Sequence, residues 1–150
     1  MSTAIGVSAD GVRIPISRAR VADVARAVLR AERVRDAMLS VTFVSNRAIR
    51  ALNREHLRRN GTTDVIAFAF KASGRKAALV GDIYIAPQVA RGSARANGVS
   101  FREEVVRLIV HGTLHVLGYD HPETDARVRS PMWRKQEALV GRLARPARRN

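Results

Sequence analysis

From Ser17 onward the apolar positions Val21, Val24, Val28 and Leu29 recur three and four apart, the period of one helix face, and Ser17 stands where an N-cap belongs. Upstream, Val12, Ile14 and Ile16 alternate with Arg13 and Pro15, which predicts a short strand over Val12–Ile16. Met38–Val44 predicts a second strand, after which Ser45 caps a helix through Ile49 and Leu52. Asn60-Gly61 marks a turn into Asp64–Phe70, a strongly apolar strand, and Lys71–Ala78 reads as a basic loop. A further strand, Val80–Ile85, is closed by Pro87, which opens a helix running to Asn97-Gly98. Ser100 and Glu103 have the spacing of a capping box for the next helix. Its stripe of Val105, Leu108, Ile109 and Leu114 predicts that it lies in the middle of the fold. Ser130-Pro131 opens a last helix through Trp133, Leu139 and Leu143. Strands and helices mix without strict alternation, so the expected class is α+β, one small sheet covered by helices.

The 150 residues suit one domain, 1–150, and a hydrophobic share of 46% is enough for a real core. Cysteine is absent, which excludes disulfides and agrees with a reducing compartment. MSTAIGVSADGVRIPI lacks the basic-then-apolar pattern of a signal peptide, and no stretch is long enough to span a membrane, so a cytoplasmic location is expected. The Arg/Ala-rich end from Arg142 to Asn150 is expected to be a flexible basic tail. Charge changes the picture most: 27 Lys and Arg against 13 Asp and Glu leave a formal net charge of +14, a potential that attracts polyanions. With two Tyr, one Trp and four Phe, a platform stacking many bases is not expected, so recognition should rest on phosphates and shape.

Three of the four histidines fall in HGTLHVLGYDH. His111 and His115 are four apart, so on a helix both rings project from one face, about 6 Å apart at Cβ, and can reach one ion. Gly118 stands where that helix needs a left-handed exit, and the turn through Tyr119 and Asp120 can return His121 over the same face. Three neutral imidazoles leave a tetrahedral ion an open position, as in catalytic sites, unless Asp120 or Asp125 closes it as a fourth ligand. Zinc, one ion, leads on ligand type, although imidazole also suits nickel, copper and iron. Asp120 and Asp125 are also the candidates to accept the outer ring N–H groups. The offsets match a zinc-protease pattern, but Gly112 stands where that pattern carries its glutamate base, which disfavours peptide hydrolysis. Met132 downstream reads as ordinary core.

HGTLHVLGYDH resembles the signature of the YbeY family of bacterial metal-dependent endoribonucleases, LNREHLRRNGTTDVIAFAF resembles its LN and TDV segment, and GDIYIAP is similar to its GDI strand. The three blocks occur in that family's order and cover most of the chain. The resemblance implies a mixed four-stranded sheet with the metal site on a central helix and the loop after it. It implies His111, His115 and His121 as zinc ligands and single-stranded RNA as substrate. It further implies work in ribosomal RNA maturation, including the 3′ end of 16S RNA, and ribosome quality control, with the small ribosomal subunit and assembly proteins as partners. No nucleotide cofactor is expected. Two positions depart from the family: Leu57 stands at the place of its functional arginine, and Ala67 replaces the serine of TDVLSF.

The expected chemistry is hydrolysis of an internal phosphodiester, with His111 at the metal and Arg58 or Arg59 neutralising charge on the phosphate. His56 reads as a helix-surface residue, and Asn53 and Asp82 as residues that order turns and strands. A metal-stabilised RNA- or ribosome-binding factor without catalysis is the rival from another class, and a zinc peptidase or amidase the weaker one.

Overall fold

The computed structural model describes residues 3–57, 61, 63–70, 78–121 and 125–144. Four strands, β1 (Thr3–Asp10), β2 (Ala37–Val44), β3 (Val65–Phe70) and β4 (Leu79–Ile85), form one sheet in the order β1-β2-β4-β3. β1 and β4 run parallel to β2, and β3 pairs antiparallel with β4. Five helices accompany them: α1 (Arg18–Ala31), α2 (Asn46–His56), α3 (Pro87–Asn97), α4 (Phe101–Val116) and α5 (Pro131–Leu143). A short 3-10 helix, Asp125–Arg129, precedes α5. The class is α+β, as the mixture of periods predicts.

Serine caps four of the five helices as the sequence indicates: Ser17, Ser45, Ser100 and Ser130 each accept a bond from a backbone N–H three residues on. The reciprocal half expected of the Ser100–Glu103 box is put to other use, since the Glu103 carboxylate accepts from Arg107 at 3.2 Å.

The first strand requires a correction. It spans Thr3–Asp10, whereas Val12–Ile16 is irregular, with Val12, Ile14 and Ile16 packed against the core. β1 is an edge strand of small residues, Ala4, Gly6, Ser8 and Ala9, whose weak intrinsic preference hides its alternation, while Pro15 has no N–H to give a ladder. Burial on one face, with Ile5 and Val7 against the core, overrides that preference.

α4 is the axis of the molecule, in contact with α1, α3, α5, β3 and β4. Its stripe, Val105, Leu108, Ile109 and Leu114, is buried as expected. Two glycines set how closely it lies on the sheet. A Cβ at Gly112 would stand 2.7 Å from Ile83 Cγ2, and one at Gly81 would stand 2.4 Å from Val116 Cγ1. Gly112 and Val116 are one helix turn apart, and Ile83 and Gly81 share one strand face, so α4 runs antiparallel to β4 in a double knob-and-notch contact.

α2 packs on the other face, where Ile49 joins Val44, Ile66 and Ala86 in a separate cluster. β3 serves both layers: Val65 and Ala67 pack with the α4 side, Ile66 and Phe68 with the α2 side. Among the described residues no helix is long and apolar enough to cross a membrane. The expected basic loop lies, at positions 71–77, outside the described residues. α5 carries Arg142 and Leu143 in its last turn, and positions 145–150 lie outside the described residues.

Candidate metal centre

The end of α4 is built to present two histidines and recover a third. Gly118 takes φ 102°, and the N–H groups of Gly118 and Tyr119 close the helix on the carbonyls of His115 and Leu114 at 3.0 and 3.1 Å. The chain turns back, and the His121 ring centroid comes to 5.1 Å from those of both His111 and His115, which are 4.6 Å apart. One ligand atom from each ring lies within 4.8 Å of the others, so this group could hold a metal ion. Asp120 accepts from the backbone N–H of His121 at 2.8 Å, which stiffens the turn.

The outer partner of His111 is a residue the sequence reading passed over. Gln136 on α5, 2% exposed, places Oε1 2.6 Å from His111 Nδ1. Its Nε2 donates to Glu137 Oε2 at 3.0 Å, and a carboxylate only accepts, so the amide orientation is determined. Oε1 must therefore accept, Nδ1 must carry the proton, and Nε2 of His111 is left with its lone pair. Glu137 is fixed in turn by a two-pronged bond from Arg107, Nε and Nη2 each at 2.9 Å. Arg107 also reaches Glu103 at 3.2 Å and Glu104 at 3.8 Å. The signal was present in the sequence: Gln136 is the polar residue in the apolar stripe Met132, Gln136, Leu139, Val140.

Burial favours the neutral form of His111 and His115. Burial pushes His111 down to about 4, helped by His115, His121 and Arg127 and opposed by the Gln136 hydrogen bond. Burial also lowers His115, with His121 adding and Asp120 opposing. Imidazoles whose ligand atoms converge are the donor set a divalent ion such as zinc takes, so the residues fit the expected metal.

The loop that carries His121 is tied to the far end of α1. Tyr119 Oη donates to Glu32 Oε1, and Lys135 Nζ donates to both Glu32 oxygens at 3.1 and 2.8 Å. Burial would raise the Glu32 carboxyl, but the Lys135 and Tyr119 bonds outweigh it and hold it below its ordinary value. Arg127, exposed on the 3-10 helix, stacks 5.8 Å from the Trp133 ring centre. Its charge lowers both His111 and Asp64. Asp64 itself is raised by burial, against backbone N–H bonds from Asp64 and Val65.

The remaining sequence candidates divide. Arg58 and Arg59 lie outside the described residues, as does the side chain of Asp125. Leu57 ends α2 with 43% of its surface exposed. Asn53, buried, donates to the Gly61 carbonyl at 3.2 Å and so ties α2 to that glycine. Asp82 accepts from Ser40 Oγ at 2.6 Å across β2 and β4. His56 sets its ring edge against Phe68, on the α2 side of the sheet and not with the other three histidines. Gly112 is filled by its contact with Ile83, so the place of a protease glutamate belongs to helix–sheet packing and no base stands there.

The model of a known family described as endoribonuclease YbeY matches residues 9–144. Relatives named endoribonuclease YbeY include one from Geobacillus kaustophilus, 42% identical over 117 residues that cover 71% of this chain and 73% of that one. Another, from Geobacter metallireducens, is 36% identical over 137 residues, 89% of this chain and 91% of that one. The solution structure of TM1509 from Thermotoga maritima has a similar fold, with a TM-score of 0.58 and 24% identity over 93% of this chain and 88% of that one. With a family model spanning nearly all of its described residues and relatives that align along most of its length, this chain belongs to the YbeY family.

Proposed function

We propose that this protein is a metal-dependent endoribonuclease that hydrolyses internal phosphodiesters of single-stranded RNA, with one zinc ion as its cofactor. The observation that carries the reading is the convergence of His111, His115 and His121, with ligand atoms within 4.8 Å of one another, in a chain of this family. A bound divalent ion would supply Lewis acidity to water or to a phosphate oxygen. His111, neutral and oriented by Gln136, His115 and His121 would hold it, leaving a coordination position for substrate. Arg58 and Arg59, on the segment after Asn53, are proposed to neutralise charge gathering on the phosphate. Arg127 adds a second source of positive charge felt at His111. The attacking oxygen belongs to water or to the RNA 2′-hydroxyl, and the products separate the two, the latter leaving a 2′,3′-cyclic phosphate. The net charge of +14 supports a polyanionic substrate. The proposal extends to a cytoplasmic setting, to ribosomal RNA processing including the 16S 3′ end, and to quality control with the small ribosomal subunit and assembly proteins.

The test is cleavage of a labelled single-stranded RNA by purified protein, with its metal content counted in the same sample, for wild type and His111→Ala. Metal-dependent cleavage lost in the variant is the expected result. Stoichiometric metal without cleavage above the variant's background would instead favour a metal-stabilised RNA- or ribosome-binding factor. The aliphatic Leu57, exposed at the place of the family arginine, is the observation on that reading's side.

A further inference from the structure

The end of α1 borders a cavity of about 590 Å³. Arg26, Arg30, Arg33 and Arg35 line it, with Leu29 and Val34. Arginine is the side chain whose planar fork grips phosphate by two donors at once. Acid nearby does not neutralise the four. Arg26 meets Asp23 at 3.9 Å with both side chains largely exposed, a pairing of little strength. Glu32 is committed to Tyr119 and Lys135. Among the described residues Arg30, Arg33 and Arg35 make no ion pair.

The backbone gives a second, independent sign. Arg33 sits at φ 59°, the one residue other than glycine with a left-handed backbone among those described. It follows the C-cap Glu32, and the N–H groups of Arg33 and Val34 bond back to Arg30 and Leu29 at 3.1 and 2.8 Å. This is the helix-ending position that glycine fills at least cost. An L side chain is held there against its preference, and that side chain is a guanidinium lining the cavity.

We infer that this arginine-lined cavity is a phosphate-binding subsite for the RNA strand that runs to the histidine site, gripping the backbone away from the bond to be cut. The inference rests on the endoribonuclease reading for its ligand. The cavity and the histidine site are linked along the chain: Arg33 is the sequence neighbour of Glu32, whose carboxylate accepts from Tyr119, two residues before His121. A strand crossing from cavity to histidines would be held by charge without base contacts, so the subsite would favour long single-stranded RNA over short fragments irrespective of sequence.

The experiment compares Arg33→Gly, Arg30→Ala and their double variant with Arg95→Ala, an exposed arginine of α3 that removes one charge elsewhere. Arg33→Gly is decisive because glycine relieves the left-handed backbone while deleting the guanidinium: Tm should hold or rise as RNA binding falls. Binding of a fluorescent 20-nucleotide single-stranded RNA is followed against salt. Each cavity arginine removed should flatten the log–log salt slope by about 0.7 and weaken binding severalfold, with Arg95→Ala changing it less. Metal-dependent cleavage of a trinucleotide should be unchanged while cleavage of the long RNA falls. Arg33→Gly and Arg30→Ala indistinguishable in slope from Arg95→Ala would overturn the subsite and mark these arginines as a solvated face. A variant-sensitive slope without wild-type cleavage would keep the subsite and remove the nuclease; wild type that binds no RNA would remove both.

Discussion

Nδ1 of His111 and Oε1 of Gln136 stand 2.6 Å apart, joining the three-histidine group at the end of α4 to the buried face of α5. Because Glu137 takes the amide N–H₂ of Gln136 and is itself held by Arg107, the chain of bonds reads in one direction only and ends with a lone pair on Nε2 of His111.

Gln136→Leu should therefore lower zinc affinity by about 10- to 100-fold, the usual cost of removing such a partner, while Gln136→Glu, which still accepts, stays near wild type. Competition with a chromophoric chelator measures it. Equal affinity for the leucine variant and wild type would show that the bond orients nothing.

The depressed His111 makes metal-free stability depend on pH with a definite sign. Its folded value of about 4 lies below the unfolded 6.5, so the unfolded chain binds more protons between these limits. Stability should rise with pH across that window, be fully present above it, and fall by about 3 kcal/mol on descending through it. Urea titrations of metal-free wild type and His111→Leu between pH 4 and 7 check this, and an equal slope in both would refute the assignment.

Gly112→Ala places a methyl 2.7 Å from Ile83 Cγ2 in the contact between α4 and β4. A loss of about 1–3 kcal/mol is expected from overpacking, and Gly112→Ala should cost less in an Ile83→Ala background, where Cγ2 is gone. Thermal unfolding reads both, and a stable single variant would mean the helix can move off the sheet.

Tyr119→Phe deletes the bond from the metal loop to Glu32 and leaves Lys135 in place. Stability should fall by about 0.5–1.5 kcal/mol, with faster amide exchange confined to the loop from Gly118 to His121. Exchange accelerated throughout the protein would contradict a local tether.

The parts of the fold that could be read in the chain are those whose reasons are local. Ser17, Ser45, Ser100 and Ser130 announce helix starts because the cap bond closes within three residues. The spacing of His111 and His115 and the glycine at 118 place the histidines together because helix pitch and a left-handed exit are short-range geometry. β1 escaped because its small residues acquire a reason to be a strand only when β2 pairs with them, and Val12–Ile16 alternates without a partner.

What the sequence by itself determined was the class of fold, most of its elements and the convergence of three histidine rings, all consequences of periods and turns within a few residues. Tertiary structure alone decided the rest. Gly112 yields its side chain to Ile83, Glu32 meets Tyr119 from 87 residues away, and Gln136 meets His111 from 25 away. These pairings arise from how α1, α5 and β4 pack around α4, and no local pattern encodes the distance between two elements that only a shared core brings together.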